Sequence, residues 1–150
     1  MAHTFTTLHT HVIFSTKDRC PYLDDEIRSR VFAYLGGIVR EMRGTAAIVN
    51  WATDHVHMLV QLPADLPLAE CLRVVKTNSS RWVHETWPDR GKFAWQTGYG
   101  ASPVSTSSLP AVTHYIETQE AHHKKVSFQD KFASFLRKNG ITFDPGHLWD

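Results

Sequence analysis

The chain has 150 residues, 42% of them hydrophobic and 21% charged, which suits one domain with its own apolar core. A net charge of +1 does not mark a uniformly basic nucleic-acid binder, so any such role needs a local basic patch. No run is long and apolar enough to cross a bilayer, the opening MAHTFTTLHTHVIF lacks the marks of a signal peptide, and Cys20 and Cys71 form no CxxC pair. These features read as a cytoplasmic protein with reduced thiols and no membrane association.

Thr4 to Thr16 is rich in Thr, Val, Ile and Phe and alternates, which predicts a strand, with KDRCPYL after it as a loop. DDEIRSRVFAYLGGIVREMR carries acids at its start, arginines at its end and apolar residues at helical spacing, which predicts a first helix. TAAIVNWAT and HVHMLVQLP are two strand-like runs meeting near Thr53 and Asp54, as in a hairpin. PLAECLRVVKTNSSRWVHETWP predicts a second helix with Leu68, Leu72, Val75, Trp82 and Val83 on one side. DRGKFAWQTGYGASP reads as loop and SPVSTSS as a fourth strand. A third helix is expected from about Pro110 through AVTHYIETQEAHHKK, and a fourth in SFQDKFASFLRKNG, capped by Ser127 and closed by Gly140. This order predicts an α+β, ferredoxin-like (RRM-like) antiparallel sheet with helices on one face and a C-terminal helical tail. Without repeats or linkers, residues 1–150 form a single domain.

Histidine is over-used, with 10 copies, several of them grouped. In a strand, residues two apart share a face, so His55 and His57 present adjacent imidazoles, an arrangement that suits one divalent metal. An isolated His-x-His is more often a pair of exposed strand histidines, but the apolar MLVQL that follows is sheet core, where buried imidazoles need partners. Tyr115 and Gln119 stand four residues apart, on one face of a helix. A tyrosine can attack phosphorus once deprotonated, and a Gln carbonyl oxygen can complete a metal shell. Taken alone, the same spacing describes a tyrosine packed on the core and a solvated glutamine. RGKFAW lacks the further residues of a phosphate-binding loop.

TDHVHMLV, YIETQEAHHKK and ITFDPGHLW, with the opening HVIFSTKDR and the central FAWQTGYGASPVS, together resemble the single-tyrosine HUH transposases of small prokaryotic insertion sequences. This IS200-like family includes relatives associated with repetitive extragenic palindromes, and the resemblance covers nearly the whole chain. It implies that His55 and His57 are the paired histidines around the hydrophobic Val56, that Tyr115 is the nucleophile, and that Gln119 is the third ligand of Mg²⁺ or Mn²⁺. It further implies a 5′-phosphotyrosine intermediate, single-stranded DNA with hairpin or palindromic ends as partner, and a homodimer. Whether the tyrosine helix serves its own histidines or those of the second subunit stays open. Ser102 and Pro103 depart from the pattern where more apolar residues are expected, and Pro103 suggests an edge or bulge in the fourth strand. Arg73, Lys76 and Arg81 are a DNA-binding groove if they share one side of the sheet and a solvated face otherwise. Lys124 and Lys125 are either phosphate contacts or cations at a helix C-terminus. The alternative function is a domesticated, non-mobile protein of the same fold that binds DNA hairpins or palindromes; an RNA-binding or metal-storage domain leaves Tyr115 and Gln119 without a role.

Overall fold

Alternate residues of the inner strands face two different environments, and this alternation organises the molecule. The computed structural model describes residues 3–50, 52–118 and 128–144. Its main elements are β1 (His9–Ser15), α1 (Arg28–Glu41), β2 (Thr45–Asn50), β3 (His55–Gln61), α2 (Leu68–Thr86), β4 (Gly100–Pro103), α3 (Leu109–Glu117) and α4 (Phe128–Lys138). The strands form one sheet in the order β2-β3-β1-β4, every neighbouring pair antiparallel. Together with two helices crossing between strands, this is the expected ferredoxin-like arrangement.

Val12 and Phe14 of β1 and Val56, Met58 and Val60 of β3 point to one face, where they meet α1 and α2. α1 supplies Val31, Phe32, Leu35, Ile38 and Val39, and α2 supplies Cys71, Leu72, Val75 and Val83. These positions recur at three- and four-residue intervals, so each helix buries a single stripe. Removing a residue such as the fully buried Leu35 would cost about 2–5 kcal/mol. Trp95 also joins this core, edge-on to Phe14.

The opposite face carries His11 and Ile13 of β1 and His55, His57 and Leu59 of β3. Register defines a transverse row on it: Asn50 of β2 lies across from His57, His57 from Ile13, and Ile13 from Gly100 of β4. Two helices attach along this row. Ile13, Phe132 and Leu136 form a small second core beneath α4. Gly100 makes that approach possible, since a Cβ there would stand 2.6 Å from the Phe132 ring. α4 ends in a left-handed Gly140, with Gly140 N–H donating to Arg137 and Ile141 N–H to Leu136, the Schellman arrangement that a glycine closure predicts. Its expected cap, Ser127, lies outside the described residues.

Two boundaries differ from expectation. α1 begins at Arg28, one turn after the first acid: the Asp24 carbonyl accepts from Ile27 and Arg28 N–H and its Oδ1 from Glu26 N–H, so residues 25–27 form an entry turn, while Asp24 and Glu26 also pair with Arg90. β4 is Gly100–Pro103, earlier and shorter than SPVSTSS, with Thr106–Ser108 forming a 3₁₀ turn. Pro103 does lie on an edge strand, opposite Thr10. Among the described residues no helix is long and apolar enough to cross a membrane.

Candidate active site

β3 places His55 and His57 on the α3–α4 face, and both are buried, at 0% and 2% exposure. Their ring centres are 5.7 Å apart. Two imidazoles bound to one divalent ion at about 2.1 Å each bring their centres to roughly 5 Å, so a small rotation would suffice. Each ring is held through Nδ1. His55 Nδ1 lies 2.6 Å from Asp54 Oδ1, and His57 Nδ1 lies 2.7 Å from His11 Nε2. Both Nε2 atoms are buried in the protein. Nδ1–H donation to the carboxylate fixes the His55 tautomer with its lone pair on Nε2, the usual support for a metal-binding histidine. The donor set therefore fits a divalent cation as far as these two residues define it. Among the described residues, no group of three His, Cys, Asp or Glu side chains converges as a metal site. The expected third ligand, Gln119, lies outside the described residues, as do Lys124 and Lys125.

Tyr115 rides on α3 and is 36% exposed. Its ring centre is 6.0 Å from that of His57 and 6.3 Å from that of His11, edge-on to both. Tyrosine and paired imidazoles thus meet within one chain. Two contacts seat the helix: Ile116 is fully buried, and Asn50 Nδ2 donates to the Ile116 carbonyl at 3.0 Å. Asn50 stands directly across β2–β3 from His57, so the strand pair that presents this imidazole also anchors the tyrosine helix. A cleft of about 500 Å³ opens beside Tyr115 and His11, walled by Ser102, Val112, Phe135 and Asn139. Ser102, across from His11 on β4, faces this cleft, which accounts for a polar residue at that strand position.

His11, Asp54 and Asn50 were not singled out by sequence reasoning. The partnership of His11 with His57 depends on strand register, which no local pattern shows. Burial lowers the His11 pKa to about 4, so the ring is neutral at pH 7.

The expected DNA-binding cations of α2 lie along the other side of the sheet. Arg73 is exposed and paired with Glu70, and Arg81 is exposed near Asn78. Lys76 is different: its ammonium donates to the carbonyls of Gln96, Thr97 and Gly98 at 3.0, 3.3 and 2.6 Å. Burial lowers its pKa to about 8. A second cleft of about 440 Å³ lies here, between α2 and the segment leading to β4. Of the aromatic residues with enough ring area to stack on a base, Trp95 is core, Trp87 packs with Trp82 and Arg30, and Tyr99 is exposed. Trp51 lies outside the described residues.

Comparison with known proteins identifies relatives of this sequence and fold. The chain is 24% identical over 124 residues to the transposases for insertion sequence element IS200 of Salmonella typhimurium and Salmonella typhi, covering 79% of this chain and 81% of each relative. Its fold is shared with a candidate transposase from Deinococcus radiodurans R1, at a TM-score of 0.64 and 22% identity over 79% of this chain and 95% of that one. A REP-associated tyrosine transposase bound to a REP hairpin superposes with a TM-score of 0.62 at 14% identity, over 84% of this chain and 74% of that one. The family profile described as "Transposase IS200 like" matches residues 4–119, and with that span covered the chain belongs to the IS200-like transposase family.

Proposed function

We propose that the protein is a transposase that cleaves and rejoins single-stranded DNA through Tyr115. The observation that carries this reading is the phenol's position beside the buried imidazole pair, 6.0 Å between the Tyr115 and His57 ring centres. Tyr115 attacks the scissile phosphorus in line. A bond forms from the phenolic oxygen to phosphorus as the bond to the leaving 3′-oxygen breaks. One strand departs with a free 3′-hydroxyl, and the other stays on the protein as a 5′-phosphotyrosine. Because the phosphodiester is exchanged rather than hydrolysed, a second 3′-hydroxyl can reverse the step without a nucleoside triphosphate. His55 and His57, through Nε2, and Gln119 would hold Mg²⁺ or Mn²⁺. When bound, the metal supplies Lewis-acid polarisation of a non-bridging phosphate oxygen and eases loss of the phenolic proton.

The partner in this reading is single-stranded DNA with hairpin or palindromic ends, met in the cytoplasm; the REP hairpin on one structural relative supports that choice. Arg73, Arg81, Lys124 and Lys125 contact the phosphate backbone, and Lys76 contributes by fixing Gln96, Thr97 and Gly98 beside them. A homodimer holds two DNA ends together; the chemistry itself needs no exchange of helices, since Tyr115 already lies beside the histidines of its own chain. Labelled single-stranded hairpin DNA with Mn²⁺ tests the proposal. A covalent protein–DNA adduct is expected from the wild type and none from Tyr115→Phe, which retains DNA binding. Adduct from Tyr115→Phe would show the nucleophile to be wrong, and hairpin binding without any adduct would favour a non-mobile binding protein.

A further inference from the structure

We propose that His11 is a positioning residue that accepts a hydrogen bond from His57 Nδ1–H and so keeps the His57 lone pair on Nε2, toward the metal. The inference rests on the reading of His57 as a ligand and adds a residue to that site.

The geometry is specific. His11 and His57 sit on adjacent antiparallel strands, two residues out of register, so their side chains are diagonal neighbours on the same face. That separation is within reach of two long side chains. Their rings approach to 4.9 Å between centres, and Nε2 and Nδ1 are 2.7 Å apart. One proton lies between these nitrogens, so one ring donates and the other accepts. If His57 donates, its Nε2 carries the lone pair that a cation requires. If His11 donates, His57 Nδ1 carries the lone pair instead, and a neutral His57 has its proton on Nε2, where it blocks coordination. Metal binding is therefore compatible with only one direction of the bond.

The His11 ring is held in place for this contact. It is 7% exposed, and two aromatic rings close around it edge-on: Phe135 at 5.6 Å and Tyr115 at 6.3 Å between centres. These neighbours limit rotation of the ring and leave Nε2 aimed at His57. His55 has the equivalent support in the Asp54 carboxylate. The two ligands are thus oriented by unlike partners, one anionic and contiguous in sequence, the other neutral and supplied by a neighbouring strand. Loss of such outer partners typically lowers metal affinity 10–100-fold.

The test uses the full-length protein and its His11→Ala, His11→Gln and His57→Ala variants, each checked by thermal unfolding. Nitrogen-15 NMR of the imidazoles, recorded without metal, should show His57 protonated on Nδ1 in the wild type and a mixture of tautomers in His11→Ala. Mn²⁺ uptake, followed by loss of the free-ion electron paramagnetic resonance signal, should weaken about 10–100-fold in His11→Ala. It should largely recover in His11→Gln, whose Oε1 stands as many bonds from Cβ as the imidazole Nε2 and can only accept. If His11→Ala fails to fold, His11→Gln and the wild-type tautomer still decide. Wild-type affinity in His11→Ala, or a wild-type His57 protonated on Nε2, overturns the inference while leaving the metal reading intact. Equal weakness in His11→Gln and His11→Ala overturns the acceptor role. A wild-type protein that takes up no Mn²⁺ overturns the metal reading, and the metal-free tautomer then decides whether His11 sets the proton on His57.

Discussion

Asn50→Ala tests how Tyr115, the proposed nucleophile, is held beside the imidazoles. α3 has nine residues, too few for a stable helix in isolation, so its place depends on docking. Full burial of Ile116 supplies about 1.5–3 kcal/mol, and the Asn50 hydrogen bond to its carbonyl about 1 kcal/mol. A total of about 2.5–4 kcal/mol favours the docked form by roughly a hundredfold to several hundredfold. Removing about 1 kcal/mol reduces that ratio roughly fivefold, yet the docked form still dominates. Asn50→Ala should therefore speed hydrogen exchange of the α3 amides about fivefold while slowing adduct formation less than twofold. Ile116→Ala, which loses about 2–5 kcal/mol, should bring docked and detached forms near balance and slow adduct formation clearly. Hydrogen-exchange mass spectrometry and single-turnover cleavage measure the two quantities on the same samples. Unchanged exchange in Asn50→Ala would refute the tether. A loss of cleavage above tenfold with α3 still protected would mean that Asn50 acts on the DNA or the metal rather than on the helix.

Gly100→Ala should destabilise the protein by about 1–3 kcal/mol and loosen α4 first, because the added methyl meets the Phe132 ring; thermal unfolding with exchange along residues 128–138 reads both effects. Lys76 has its folded pKa lowered from 10.5 to about 8, so between those values the unfolded chain binds a proton that the native one lacks. Stability should rise from pH 8 toward pH 10.5, and the slope should shrink in Lys76→Met when urea midpoints are compared across that range. His57→Ala should abolish metal-dependent cleavage, and chelation of the wild type should do the same; undiminished adduct under either condition would rule out metal assistance.

Much of this fold was readable because the informative segments are long and strongly patterned. The stripe from Val31 to Val39 and that from Leu72 to Val83 repeat at helical intervals, and the alternation through His55, Val56, His57 and Met58 identifies a strand with two unlike faces. β4 was misplaced because four residues containing a glycine and a proline display no period. The acids before α1 form an entry turn and also pair with Arg90, a partner too distant in sequence for a local pattern to show. Within the site, the His-x-His pair was legible from local spacing. The roles of His11 and Asn50 were not, since each depends on which residues of neighbouring strands stand opposite one another. Lys76 read as part of a basic edge, but the three carbonyls that receive its ammonium come from a turn whose path no local pattern encodes.

The transverse row through Asn50, His57, Ile13 and Gly100 separates what must be rigid from what can be tuned. The imidazoles belong to the middle of the sheet, where any displacement disturbs neighbours on both flanks, so drift in sequence there is penalised twice, in folding and in chemistry. The phenol belongs to a short appended segment whose seat can be strengthened or weakened by single substitutions without touching the core. If Tyr115 acts as proposed, selection or a protein engineer can therefore set turnover at α3 almost independently of thermal tolerance.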